Sequence, residues 1–356
     1  YAHAVPGSPD IAVVSLGTTF GWRRGDEALA GHVRAAGASC RVVTVRLGHA
    51  AALRRSMATT DLVEALAARN SARGLEAGAV IYSTITAALL QPSRHPSAVR
   101  FDGIAAVNRP GIGGAWQRRR EPSVLSSADL LLPWSEPSAE HAEQALAGAG
   151  LPLPDTLVLV PPVEGAERSP PGPDAIAYAA NPDKRGLDLL CQAWARAAPA
   201  GARLTIGGID REQGLRWLER CGVSEPAGVQ WLGAVERERW LGLVASARAF
   251  VSAARIEDWG LAQMEALAAG TPLVCVPSPG AYAALPLARE LDPSLVAAER
   301  SAAALAEALR TALAMDAAQR EDYGARARAL LRPYGEAEVR RRVAEELLPR
   351  LLSSSS

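Results

Sequence analysis

The chain has a single lysine. Lys184 is the only one among 38 basic residues, the rest being arginine, and 38 acidic residues balance them to zero formal charge. Neutrality removes any global electrostatic reason to bind nucleic acid, and limits membrane binding to peripheral association at most. Long apolar runs are missing too. No stretch approaches the ~18 residues of a membrane span, and Tyr1–Pro9 lacks the apolar core of a signal peptide. Cys40, Cys191, Cys221 and Cys275 form no C-x-x-C pair, which favours reduced thiols in a cytoplasmic protein over a disulfide frame or a zinc site. His3, His32, His49, His95 and His141 have no metal-ligand spacing. There is no G-x-G-x-x-G fingerprint, Walker lysine, G-x-S-x-G elbow or D-x-D pair. These absences argue against a dinucleotide enzyme, a P-loop enzyme, a serine hydrolase and a carboxylate-bound divalent metal. No metal and no cofactor are expected.

What is present is alternation. Short apolar runs at Ile11–Leu16, Arg41–Val45, Gly78–Tyr82, Ala98–Asp102 and Leu130–Pro133 read as strands. Helical stretches such as Asp26–Ala36 and Ala139–Ala149 lie between them. After the proline-rich segment Val160–Pro173 the alternation resumes, with strands at Ala175–Tyr178, Arg203–Ile206, Val229–Leu232, Ala249–Ser252 and Leu273–Val276. Helices are expected at Gly186–Ala198, Arg211–Cys221, Arg237–Ser246 and Trp259–Ala269, followed by Ala302–Ala314, Ala317–Leu331 and Glu336–Leu352. Strands alternating with helices mean βαβ units and a parallel sheet. The pattern predicts an α/β protein of two doubly wound halves, 1–160 and 174–335, joined by a linker at 161–173. Ser353–Ser356 reads as a tail.

The most informative segment is Val251–Pro272, VSAARIEDWGLAQMEALAAGTP. It sets Glu257 and Glu265 on either side of a Trp259-Gly260 step that opens a helix, and Gly270-Thr-Pro272 ends that helix before an apolar strand. Free amides at a helix start, together with the helix dipole, make an anion site. Eight helical residues would span roughly 12 Å, about the reach from the sugar to the ribose of a nucleotide sugar. On this reading Glu257 contacts the transferred sugar, the amides near Trp259–Leu261 hold the diphosphate and Glu265 accepts two ribose hydroxyls. The alternative is an ordinary amphipathic helix with Leu261, Met264, Leu267 and Ala268 as its core stripe.

Three further groups accompany it. Asn181–Gly186 carries Lys184 and Arg185 after a strand, where they would neutralise a diphosphate leaving group; a solvated loop is the other reading. The glycine-rich loop Gly17–Glu27, with Gly25, would let backbone approach a donor. Asp102 ends a strand of the first half, where it would orient or activate an acceptor hydroxyl or simply cap a turn. Arg118–Arg120 reads as a solvated basic face, with acidic acceptors or lipid headgroups as its other use.

These motifs resemble the retaining GT-B glycosyltransferases of the GT4-type family, glycosyltransferase group 1. The family pattern E-G-F-G-L-x-x-x-E-A-(M/L)-A-x-G-x-P-V-V stands here as Glu257-Asp-Trp-Gly-Leu-Ala-Gln-Met-Glu265-Ala-Leu-Ala-Ala-Gly270-Thr-Pro272-Leu-Val. The resemblance is specific over Ala175–Ala284. It implies two Rossmann-like domains facing across a cleft, with a C-terminal helix, here 336–352, crossing back to the first. It implies metal-independent transfer of a sugar from a nucleotide sugar, UDP- or GDP-linked, to a hydroxyl acceptor (glycan, lipid or small molecule) with retained configuration. The residues it brings to the donor are Lys184, Arg185, Glu257, Trp259, Gly260, Leu261 and Glu265. The first-domain histidine typical of the family has no clear match, and Asp102 sits at about that strand end. Two further departures lie at the donor site. The family arginine is Ala180 here and its lysine position is Arg185, with Lys184 beside it. Asp258 replaces a glycine, adding a third acid near the sugar. A GT-B nucleotide-sugar epimerase and a non-catalytic nucleotide-sugar-binding homologue are the alternatives.

Overall fold

A computed structural model describes residues 8–17, 20–53, 57–94, 96–167 and 172–352. The expectations for Tyr1–Gly7, Thr18–Thr19, the stretch 168–171 and Ser353–Ser356 lie outside the described residues. The chain divides into two compact units, one of Tyr1–Pro162 with Glu336–Ser356 and one of Val163–Gly335.

The first unit is built on a parallel sheet of six strands among the described residues. They are β1 (Ile11–Ser15), β2 (Cys40–Thr44), β3 (Ala79–Tyr82), β4 (Ser97–Phe101), β5 (Leu130–Pro133) and the short β6 (Asp155–Thr156), in the order β2-β1-β3-β4-β5-β6. β1, β3, β4 and β5 are buried at every position, as a parallel sheet covered on both faces requires. Alternate residues feed two cores. Val14, Val80, Val99 and Leu131 pack on one side with Leu89 and Leu125. Ile11, Val13, Ile81 and Leu132 pack on the other with Leu29 and Val33. The C-terminal run belongs to this second core. It is α-helical over Glu336–Arg342, widens to a π turn over Val343–Leu347 and returns to α over Leu348–Leu352. Val339, Val343, Leu347, Leu348 and Leu351 are its buried side chains there. Arg342 Nη1 donates to the Val158 carbonyl at 2.7 Å, and His32 Nε2 meets Glu336 Oε1 at 2.5 Å.

The first helix is Phe20–Ala35, six residues earlier than the predicted start at Asp26. Trp22–Gly25 is therefore helix, not loop. The early start puts Asp26 inside the unit, where Ser15 Oγ donates to it at 2.5 Å and Arg100 Nη1 at 3.0 Å. Both charged side chains are buried, and the Arg100 guanidinium stacks against Trp134 at 4.9 Å and Trp22 at 5.9 Å from the ring centres.

The second unit holds β7 (Ala175–Tyr178), β8 (Leu204–Gly207), β9 (Val229–Gly233), β10 (Ala249–Ser252) and β11 (Leu273–Cys275), parallel and ordered β11-β10-β7-β8-β9. The chain winds outward from β7 to β9, then returns to the other side of β7 for β10. That reversal makes the carboxyl ends of β7 and β10 the topological switch point, where open α/β sheets bind ligands. Of the proline-rich segment, the part 163–167 packs on this unit. Val163 N–H donates to the Tyr334 carbonyl, and Glu164 meets Arg237 at 3.6 Å.

Buried charge in the first unit yields two predictions. Glu121, on helix Ala115–Ser126, accepts from the Ala105 N–H at 2.7 Å. Burial pushes its carboxyl from the ordinary 4.5 up to about 7, against the smaller downward pulls of that hydrogen bond and of Arg109. A carboxyl raised in the folded state favours folding while protonated. That contribution is complete below pH 4.5 and is lost as pH rises through about 7. Urea unfolding of the first unit should weaken by on the order of 3 kcal/mol across that window, and Glu121→Gln should flatten the dependence. Asp26→Ala strands the buried Arg100 cation and should cost about 3–5 kcal/mol in the same assay.

Candidate active site

The site grows from the two loops at the switch point of the second unit. The loop after β7 ends at Gly186, which has φ of 62° and introduces helix Leu187–Ala197. A Cβ at this position would lie 2.1 Å from the Ala253 carbonyl oxygen. Only glycine lets the loop after β7 sit this close to the loop after β10. A backbone bond closes the contact, Arg255 N–H to the Lys184 carbonyl at 2.8 Å. The Arg255 guanidinium also binds Asp188 through both carboxylate oxygens, at 2.8 and 2.9 Å.

This approach sets two cations against two carboxylates. Lys184 Nζ lies 3.1 Å from Asp258 Oδ2, and Arg185 Nη1 pairs with Glu257 Oε2. Glu257 and Asp258 are buried. Gln263 Nε2 donates to Glu257 Oε2 and to Ser252 Oγ, both at 2.9 Å, fixing the acid from the other side. Arg185 also lies over the Tyr178 ring, 6.0 Å from its centre. Beyond the acids, Gly260 at φ 82° opens helix Leu261–Ala269 with no side-chain cap. The two residues behind it, Leu261 and Ala262, are half-buried rather than enclosed. A helix start of this kind presents N–H groups and positive dipole to an anion.

Glu265 points elsewhere than the amphipathic reading implies. It is buried, and its Oε1 accepts from Arg237 Nη1 at 2.6 Å. Burial pushes its carboxyl up, while Arg237 and the Trp240 indole pull it back. The helix is enclosed around most of its circumference: Gln263, Met264, Glu265, Ala266, Leu267 and Ala269 are buried, whereas Leu261 and Ala268 of the expected core stripe are only half-buried. It begins at Leu261, so Glu257 precedes it in a bent loop, and the helical-rise argument does not measure the Glu257–Glu265 separation. Trp259 is buried, its ring 6.0 Å from that of Tyr334.

The structure thus brings Lys184 and Arg185, after β7, beside Glu257, Asp258, Trp259, Gly260 and Leu261, after β10, with Glu265 on the helix behind. Asp102 and Gly25 belong to the first unit. Asp102 follows β4, half-buried, its carbonyl accepting from Ser138 Oγ at 2.6 Å. Gly25 lies within helix Phe20–Ala35, where a Cβ would stand 3.4 Å from the Arg100 guanidinium. This gives the glycine a packing reason in place of the loop role expected for it. Arg237, Gln263 and Glu164 are the partners that sequence reasoning missed. Gln263 carried a signal, as the third residue after a helix-opening Gly260, the place where glutamine often caps; Arg237 and Glu164 carried none.

Among the described residues no group of three or more His, Cys, Asp or Glu could hold a metal ion, and no helix is long and apolar enough to cross a membrane.

Residues 173–315 match the family profile described as glycosyl transferases group 1. A search of curated proteins gives no match. Solved structures share the whole architecture. Sucrose-phosphate synthase from Thermosynechococcus elongatus is 16% identical with a TM-score of 0.75, covering 97% of this chain and 99% of that one. Anabaena HepE, solved with UDP-glucose, is 15% identical with a TM-score of 0.66, covering 95% and 98%. WaaG, a glycosyltransferase involved in lipopolysaccharide biosynthesis, is 15% identical with a TM-score of 0.69, covering 94% and 98%. At these identities the likeness establishes the GT-B fold alone, and the profile match is confined to residues 173–315. Residues 173–315, which hold both loops and the helix between Glu257 and Gly270, are similar to the group 1 glycosyltransferases over that stretch.

Proposed function

We propose that the chain transfers a sugar from a nucleoside-diphosphate sugar to a hydroxyl acceptor with retention of anomeric configuration. The observation that carries this reading is the pairing of Lys184 and Arg185 with Asp258 and Glu257 directly ahead of the Leu261 helix start. Cations and helix amides at the ends of neighbouring strands suit a diphosphate, and the adjacent buried acids suit sugar hydroxyls.

In this reading Lys184, Arg185 and the amides of Trp259–Leu261 bind the diphosphate. Glu257 and Asp258 face the sugar, and Glu265 accepts the ribose hydroxyls. The bond from the anomeric carbon to the phosphate oxygen breaks, and the acceptor oxygen bonds to the same carbon on the same face. The acceptor proton passes to the departing phosphate. The two cations and the helix start stabilise the charge that develops on that leaving group. Asp102 is proposed to orient the acceptor hydroxyl. The UDP-glucose bound in Anabaena HepE favours a uridine donor over a guanosine one.

Calorimetry with UDP and turnover on a nucleotide sugar test the assignment. Glu265→Ala should weaken UDP binding by ~10–100-fold, the worth of a lost charge-assisted hydrogen bond pair. Glu257→Ala should leave UDP binding within a few-fold and lower kcat by at least ~100-fold. If both variants keep wild-type affinity and turnover, the assignment is wrong.

A further inference from the structure

The first unit carries a face that the donor chemistry does not use. On helix Met57–Ser71, Leu62 and Leu66 stand one turn apart and are 43% and 44% exposed. Leu53, just ahead of that helix, is 58% exposed, and Ile112 in the turn after Pro110 is 95% exposed. A large aliphatic side chain held out in a tight turn has no role in a solvated surface, and clustered apolar exposure marks an interaction site.

Hydrogen bonding makes these residues one surface. Arg109 donates through Nε and Nη2 to Asp61 Oδ2 and Oδ1, at 2.9 and 3.3 Å. Asp61 immediately precedes Leu62, so the ion pair pins the turn bearing Ile112 to the helix bearing Leu62 and Leu66. Arg118 donates to the Arg109 carbonyl, which draws in the first turn of helix Ala115–Ser126 and the arginines that follow it.

The charge on this face has one sign. Among the described residues of 48–53, 57–73 and 103–120, the carboxylates are Asp61 and Glu64, and both are buried. Arg69, Arg73, Arg119 and Arg120 are exposed. The next carboxylate along the chain, Glu76, is exposed but lies past the helix, on the approach to β3. The neutrality of the whole chain therefore conceals a local separation. Aliphatic side chains flanked by exposed arginines, with the acids withdrawn, match the boundary between headgroups and acyl chains in an anionic bilayer. We propose that this face docks on an anionic lipid membrane, with Ile112, Leu53, Leu62 and Leu66 entering the interface and the arginines binding headgroup phosphates.

Co-sedimentation of the full chain with vesicles tests the docking. Wild type should pellet with vesicles containing phosphatidylglycerol, stay in solution with pure phosphatidylcholine, and be released by salt. Ile112→Glu combined with Leu66→Glu should lower vesicle affinity by at least ~10-fold. UDP binding serves as the fold control and should be unchanged in that variant. Arg119→Ala with Arg120→Ala should lower affinity for the anionic vesicles and reduce the salt dependence. Three results would overturn the proposal: no binding of wild type to anionic vesicles, equal binding of the Ile112/Leu66 variant, or a concentration-dependent dimer that this variant abolishes, which would make the face a protein interface.

Discussion

Two ion pairs between neighbouring loops govern the second unit's chemistry. Lys184 and Arg185 are consecutive on one loop, Glu257 and Asp258 on the other, and the backbone leaves them little choice of partner. Gly186 against the Ala253 carbonyl and Arg255 against Lys184 hold the loops at contact distance. The carboxylates are buried while the cations keep partial access to solvent. Removing either cation would take a counter-charge from a buried carboxylate, which costs more than an exposed ion pair is worth. Under the proposed reading, an entering diphosphate would be a stronger anion placed at the same cations. It would compete with acids that are already there and free them for sugar hydroxyls. Part of the intrinsic phosphate affinity would then be offset by the pairs it opens.

The first unit handles buried charge by a related rule, with different results. Asp26 and Arg100 meet directly, with Ser15 and two tryptophan rings completing the enclosure. Burial raises the Asp26 carboxyl, and the adjacent guanidinium opposes it. Glu121 has a backbone N–H as its direct partner, with Arg109 acting from further off and engaged by Asp61. Desolvation is the largest influence on both acids and raises both carboxyls, that of Glu121 to about 7.

Much of this organisation is written in local sequence. Parallel strands enclosed on both faces are short apolar runs, so β5, β7 and β10 fall on Leu130–Pro133, Ala175–Tyr178 and Ala249–Ser252 as read. The start of helix Phe20–Ala35 is not legible, because Arg23, Arg24 and Gly25 carry no apolar periodicity; Arg23 donates to the Gly17 carbonyl at 3.2 Å. Helix Met57–Ser71 shows no clear apolar stripe, since two of its leucines face outward. The same division holds at the site. Glu257, Glu265 and the Lys184–Arg185 pair are legible from spacing, because loop geometry fixes them within a few residues. Arg237 is not, because its pairing with Glu265 joins separate helices and depends on how they pack.

The two donor-site departures from the family pattern act on one electrostatic balance. Ala180 withdraws a cation and Asp258 supplies an anion, so this pair of strand ends is more negative than the pattern by two formal charges. Lys184, beside the family's lysine position at Arg185, restores one of them, and the structure spends it on Asp258. Side chains alone therefore leave little net positive charge for a diphosphate. The helix start at Leu261 supplies roughly half a positive charge that no carboxylate of this loop can remove by changing rotamer. Under the proposed reading, phosphate recognition in this chain rests more on backbone amides than on its cations. That gives the left-handed Gly260, which aims those amides, a heavier duty than the family motif alone would assign it.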